Sequence, residues 1–568
     1  MADVKKYTDQ IAKAQKGRDV RDSIVKAINE VSDENNSYDQ VKKDILAAQS
    51  DVSQMQENVS QMVNTLGDAE KTIEQAGQKQ IQEIANSLDN TLSAEGKAAD
   101  AKAAGDKIAE IRETANSLKE DLDKQFLIEN QQISKFGIRK KYHKPFIKYN
   151  LPNEFNEIAS MINIYTDGSS VYHDFNIERY KNRGGSVYYV SPSGTASISN
   201  STKENPTQFR NILNADVLKE GDTVFFNDGV YRDMMSAEKK QILKSVNLIA
   251  LNKGKVTIAA IGSALQYISE SNGIYSAQRS NVAKVFQIKK DGSISILQKV
   301  DSEIECSSQG TWNLSTDNVL KIHLFDDAQP NWDNCIVCLN YGVPVLDFSP
   351  TISASLYCDG INFIGGVPET ALITGLKNTT VNFFATDCRF YGAYDSNLQR
   401  DAVSVKGANA YFVRCEAQYS SKDGFNYHAL NGNIPNFIEI DCIGANNGND
   451  GVAVADNQYW QNGSTAHDGV KGLRIGGYYY NNYGGNVADV HENTITVNIG
   501  CTAFDSSAPK NKPDACADFV AQQAGAKMLL LGCRAFGSVS SARAVTNSEI
   551  TVISCDLENG TSGTGTIN

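Results

Sequence analysis

The chain is predicted to be mainly β, a right-handed parallel β-helix preceded by an α-helical coiled-coil stalk, and three observations predict it. First, a cysteine returns in one local setting, TDCRFYG, VRCEAQY, IDCIGAN, IGCTAFD, LGCRAFG and ISCDLEN, at Cys388, Cys415, Cys442, Cys501, Cys533 and Cys555. The intervals are 27, 27, 59, 32 and 22 residues, and the long one holds a further unit, RIGGYYYNN, with Gly476 at the cysteine's place. A repeat of this period means stacked units. Second, each unit has two short apolar or β-branched runs around a turn rich in Asn, Gly and Ser, and none has ten residues of helical periodicity. Third, residues 1–130 have a different composition, rich in Ala, Lys, Glu, Asp and Gln.

In that first region Val52, Met55, Val59, Met62, Leu66, Ala69, Ile73 and Ala76 alternate by three and four, the a/d seam of a coiled coil. The seam shifts to Ile81, Ile84 and Leu88, as a stutter would make it, and a second seam runs Ile108, Ile111, Ala115, Leu118 and Leu122. Two seams favour a self-associating stalk over one amphipathic helix folded back on the rest. Residues 131–184 read as a neck or linker and contain the basic run RKKYHKPFIK, Arg139 to Lys148.

The β-helix is expected over 185–568. Pro206 suits the first turn of a short helix whose apolar face is Phe209, Ile212, Leu213 and Val217, placed to plug the open first coil. The first alternating strand follows at Thr223 to Phe226. About 264–340 the pattern becomes VFQIKKDGSISILQKV and GTWNLSTDNVLKIHLF, hairpins of an inserted antiparallel subdomain. Stacked coils lie about 4.8 Å apart, so equivalent positions form ladders and the recurring cysteine becomes an interior stack. A disulfide framework competes, but the eleven cysteines are odd in number and the amino terminus lacks a secretion signal. Cys335 and Cys338 make a lone CxxC without a second pair, so they read as strand residues, and no metal or cofactor is implied.

A net charge of −13 argues against a nucleic-acid partner, which needs clustered Lys and Arg, and no apolar stretch is long enough to insert in a membrane.

Chemistry is expected on a second ladder. Asp423 and Asp450 each fall eight residues after a ladder cysteine, Asp401 falls thirteen after Cys388, and Asp489 falls thirteen after Gly476. Stacked carboxylates repel and need a proton, cation or ligand between them, although Asp-Gly is also an ordinary turn pair. Glycoside hydrolysis needs an acid and a base or nucleophile, about 5–5.5 Å apart for retention and roughly 6.5–9.5 Å for inversion. Carboxylates one or two coils apart meet either requirement. The excursion Asp456 to Asp468 adds Tyr459 and Trp460 as flat faces for sugar rings, and His467 and Asp468 as tuning groups, with His428 facing the same groove. The acid and base are expected among Asp423, Asp450, Asp456 and Asp468, with His467 in support. His428, Tyr459, Trp460, Asp489 and Asp401 are expected to hold substrate.

VYYVSPSG, a helix and GDTVFFNDGVY resemble the opening of pectate-lyase-like β-helix proteins, and DGFNYH, NGSTAHDG and GGNVADV look like segments of bacteriophage tail spikes. GRDVRDSIVKAINEV and LSAEGKAADAKAAGDKI are similar to segments of tail and baseplate proteins of phages of Gram-positive bacteria. The resemblance implies a homotrimeric virion appendage, assembled in the host cytoplasm. Its amino-terminal region would attach to phage tail or baseplate proteins and its β-helix would bind a bacterial surface polysaccharide. It carries Asp423, His428, Asp456, His467, Asp468 and Asp489 over as the site. No separate trimerisation module is visible after Glu558, unlike many long tail spikes. The function expected is a tail spike or receptor-binding protein that depolymerises the glycan by hydrolysis. A non-catalytic adhesin, a structural baseplate or fibre subunit and a polysaccharide lyase stay open as alternatives.

Overall fold

The computed structural model describes residues 147–166, 171–213, 217–232, 241–260, 265–394, 400–448, 460–510, 512 and 515–568. The coiled-coil seams expected in residues 1–130 lie outside the described residues.

Among those residues, three long sheets of twelve, ten and nine strands run side by side, and their pairings are parallel. We call them sheets 1, 2 and 3 in that order of size. The chain visits them in turn: Asn409–Val413 in sheet 1, Glu416–Gln418 in sheet 2, Phe425–His428 in sheet 3, then Asn436–Ile440 back in sheet 1. This is a parallel β-helix, in which each strand pairs with its counterpart one coil away.

The corner between sheets 1 and 2 is a single residue in the left-handed region, Asp387, Arg414, Asp441, Gly476, Gly500, Gly532 and Ser554 on successive coils. Glycine and aspartate tolerate that conformation, which explains their frequency there. The next residue is the ladder cysteine. Each of the six thiols donates to the carbonyl two residues back, at 3.3–3.8 Å, so the polar atom of the turn is satisfied inside an apolar stack. The pairings Ile440↔Ile475 and Ile443↔Tyr478 align Cys442 with Gly477, not with Gly476 as the repeat suggests. The sequence places two glycines together, and the corner uses the first. All eleven cysteines are free thiols, and all but Cys555 are buried.

Side chains alternate across each strand. On sheet 1, Phe383 and Phe412 face the interior, whereas Phe384 and Tyr411 face out and are covered by the segment 147–180, where Tyr180 stacks on Phe384 at 4.6 Å. The short helix Phe209–Ile212 buries Phe209 against Phe226 in the first coils, with ring centroids 4.7 Å apart. Between Ala259 and Leu346 the coil is interrupted by two small, mostly antiparallel sheets spanning Ile268 to Leu339. Their core holds Trp312, Leu320 and Ile322, and Phe286, Ile336 and Cys338 dock them on Ile364 and Tyr391 of sheet 2.

One stretch of the interior is polar. Glu439 and Arg474 are inward neighbours on adjacent coils of sheet 1, and both are fully buried. Glu439 accepts the hydroxyls of Tyr427 (2.9 Å), Ser464 (2.6 Å) and Tyr479 (2.7 Å). Arg474 donates to Asn498 at 3.1 Å and lies over the Phe437 ring.

Candidate functional site

The outer face of sheet 3 gathers carboxylates, histidines and amides along four adjacent strands. Its strands Val403–Lys406, Phe425–His428, Ser464–Ala466 and Val487–Val490 pair in register, Val403↔Phe425↔Ser464↔Val487. Alternation sends Val403, Val405, Phe425 and Tyr427 into the core and leaves Ser404, Lys406, Asn426, His428 and Thr465 on the outer side.

At the start of these strands, the same register sets Asp401, Asp423 and Asn462 on three adjacent coils. Asp401 accepts the Asp423 backbone N–H at 3.3 Å and the Asn426 amide at 3.0 Å. Asp423 accepts the Asn462 N–H at 2.8 Å, and its carboxyl is buried. Burial pushes the Asp423 pKa up to about 7; the Asp401 charge adds to the rise, and Lys422 and the Asn462 N–H oppose it. A carboxyl of that kind holds a proton it can give up near neutrality. Glu369, one coil before Asp401, is also buried and raised by burial, against the pull of Lys406, whose ammonium it meets at 3.2 Å.

At the far end of the strands, Asp468 accepts from Nδ1 of His428 at 2.9 Å and from Nδ1 of His491 at 2.6 Å. Both imidazoles are thereby held with the proton on Nδ1, leaving Nε2 as an acceptor in the neutral ring. His467 stacks on His428, with centroids 4.1 Å apart and planes 8° apart. Burial depresses the pKa of His428 and holds that of His467 well below the ordinary range. Along this face, Glu369 Oε2, Ser404 Oγ, Asn426 Oδ1, Asn462 Oδ1 and both His467 ring nitrogens are buried without a hydrogen-bond partner among the described residues. Such groups are costly unless something satisfies them.

No family model matches the chain, and no curated protein matches it. Solved structures that resemble it include pectate lyase Pel9A, 13% identical with a TM-score of 0.30, covering 68% of this chain and 81% of that one. XylC in complex with xylose is 10% identical with a TM-score of 0.37, covering 64% and 68%. ORF18 of Geobacillus virus E2 is 10% identical with a TM-score of 0.25, covering 72% and 68%. Likenesses this partial carry no argument about activity, which rests on the chain's own residues.

The structure brings Asp401 and Asp423 together, and His428, His467 and Asp468 together. Asp450, Asp456 and Tyr459 lie outside the described residues. Among the described residues the sheet 3 strand of that coil is Ser464–Ala466, and Asn462 holds the position equivalent to Asp423. Asp489 does not join the acid row. It pairs in register with Ala466 and points into the core, where Arg474 reaches it at 3.4 Å and the Thr496 hydroxyl donates to it. Burial raises the Asp489 pKa to about 6, against Arg474. Trp460 is half-buried and packs on Ala508, Ala515 and Cys516 instead of presenting a free ring. Sequence reasoning missed Glu369, Arg400 and His491. His491 had a signal, since it stands two residues after Asp489 at the end of a strand that borders the DGFNYH strand's neighbour.

Proposed function

We propose that the protein is a bacteriophage tail appendage whose β-helix binds a bacterial surface polysaccharide on the outer face of sheet 3 and hydrolyses it. The observation that carries the reading is the acid pair: Asp401 and Asp423 hold equivalent places on adjacent coils, and one of them keeps a proton near neutrality. In this reading Asp423 protonates the leaving glycosidic oxygen and Asp401 acts on the sugar as the second carboxylate. The row of unsatisfied polar atoms on the same face supports a ligand rich in hydroxyl groups. His428 and His491, oriented by Asp468, supply two further acceptors for sugar hydroxyls. Attachment to a tail, assembly as a homotrimer and the coiled-coil stalk belong to the same proposal and rest on the sequence resemblance.

One observation favours a non-catalytic adhesin. Both carboxyl groups already accept hydrogen bonds from the coil that follows, Asp401 from Asp423 and Asn426, and Asp423 from Asn462, which is what a structural aspartate does. The two readings separate on turnover. The full chain is incubated with capsular and wall polysaccharides of Gram-positive bacteria while new reducing ends and unsaturated-uronate absorbance are followed. Hydrolysis predicts reducing ends alone, lost in Asp423→Asn and Asp401→Asn with binding retained. Glycan binding without any product supports the adhesin.

A further inference from the structure

We propose that Arg400 and Lys422 form a subsite for an oxyanion carried by the glycan, a carboxylate or a phosphate, directly beside the acid pair. The inference rests on the reading of this face as a glycan site and adds the class of glycan.

The two cations occupy equivalent places on adjacent coils, because the Lys422 N–H donates to the Arg400 carbonyl at 2.9 Å. Each immediately precedes a member of the acid pair, Asp401 or Asp423. Four other cations of these coils are ion-paired: Arg389 with Glu416, Lys406 with Glu369, Arg414 with Asp387, and Arg474 with Glu439 and Asp489. Neither the Arg400 guanidinium nor the Lys422 ammonium has a hydrogen bond or ion pair among the described residues, and Nε of Arg400 is buried without a partner. A guanidinium with a buried, unused N–H beside a second unused cation is a fork shaped for an oxyanion.

Charge balance points the same way. The chain carries a net charge of −13, so a polyanion gains nothing from the protein as a whole and needs local cations to bind. Asp401, Asp423 and Glu369 stand close enough to Lys422 to act on its charge, so the subsite is not a basic patch that would take any anion. It suits an anion delivered on a sugar whose neighbouring linkage then lies against Asp423. His428 and His467 also feel the Lys422 charge, which ties the cation pair to the histidine end of the same face.

The test uses the full chain and a panel of bacterial surface glycans that are neutral, uronate-bearing or phosphodiester-linked, with affinities measured at two salt concentrations. The expected result is that the glycans bound are anionic and that Arg400→Gln and Lys422→Gln each weaken binding by about tenfold or more and flatten the salt dependence. Lys422→Arg, which keeps the charge, should recover most of the affinity, and Arg400→Lys, which keeps the charge but not the fork, a part of it, separating a lost contact from a damaged fold. Carboxyl reduction of the bound glycan abolishes binding if the anion is a uronate; removal of phosphate by hydrogen fluoride abolishes it if the anion is a phosphate. A bound glycan that is neutral, or an anionic one whose affinity the double glutamine variant leaves unchanged, overturns the subsite while leaving the glycan-binding function intact. Failure to bind any glycan overturns both.

Discussion

Asp401 takes the backbone N–H of Asp423 on its Oδ1 at 3.3 Å, so the carboxylate of one coil fixes the turn of the next. The contact brings the two acids together, and the neighbouring Lys422 charge offsets only part of the cost. Asp423, the more buried of the two, is the one whose pKa rises to about 7.

That shift has a sign in stability. The folded pKa lies above the ~4 of an unfolded aspartate, so the stabilising contribution is complete below about pH 4 and is lost as pH rises through 7. Asp423→Asn removes the titration and is expected to gain on the parent chain between about pH 5 and pH 8, by a few kcal/mol at most. Chemical denaturation of both proteins at the two pH values checks this, and an equal difference at both would count against the shift.

His467 has the opposite sign. Its folded pKa is depressed by burial, so it stabilises fully above the ~6.5 of an unfolded histidine, and the contribution drains away as pH falls below that value. His467→Asn should therefore flatten the loss of stability on the acid side. A thermal scan series from neutral to mildly acidic pH reads it directly, and parallel curves for the two proteins would reject a neutral His467.

The interior ion network should be sensitive to its acceptor. Glu439→Ala strands Arg474 with Asp489 alone and leaves the hydroxyls of Tyr427, Ser464 and Tyr479 without their acceptor, at an expected cost of about 3–5 kcal/mol. Replacing Glu439 and Arg474 together by apolar residues of similar volume should cost less than the single change. Unfolding midpoints of the single and double variants make the comparison.

The cysteine ladder predicts a reactivity pattern. Burial raises the thiol pKa of Cys442 and Cys533, and only Cys555 among the eleven is partly exposed. A thiol-reactive dye on the native protein should label Cys555 alone, with the other ten appearing on denaturation. Rapid native labelling at Cys415 or Cys442 would contradict the interior stack.

Much of the architecture could be read before the structure, and the limit was set by turn length. The sheet 1 to sheet 2 corner keeps a constant length, one left-handed residue followed by the ladder position, so the cysteines kept count and their ladder was visible. The passage from sheet 2 to sheet 3 varies, with Asp423 eight residues after its cysteine and Asn462 twenty after Cys442, so counting forward from a cysteine does not find Asn462. Asp489 was misread for the same reason: the register puts Gly485, not Asp489, at the place equivalent to Asp423, and Asp489 falls further along the strand at the inward position of Tyr427 and Ala466. The Glu439–Arg474 pair was not legible, because only the register between adjacent coils sets the two side by side on the inner face. Asp468 and the histidines were visible as candidates, but His491, which completes them, sits on the following coil.

The most direct test of the central claim is the anomeric configuration of the sugar first released from a cleaved glycan, followed by proton NMR. Asp401 and Asp423 stand on adjacent coils, whose general spacing of about 4.8 Å is nearer the ~5–5.5 Å of a retaining pair than the ~6.5–9.5 Å of an inverting one, so the account predicts retention, lost in Asp423→Asn. Inversion, or cleavage that persists at the parental rate in Asp423→Asn, would contradict it.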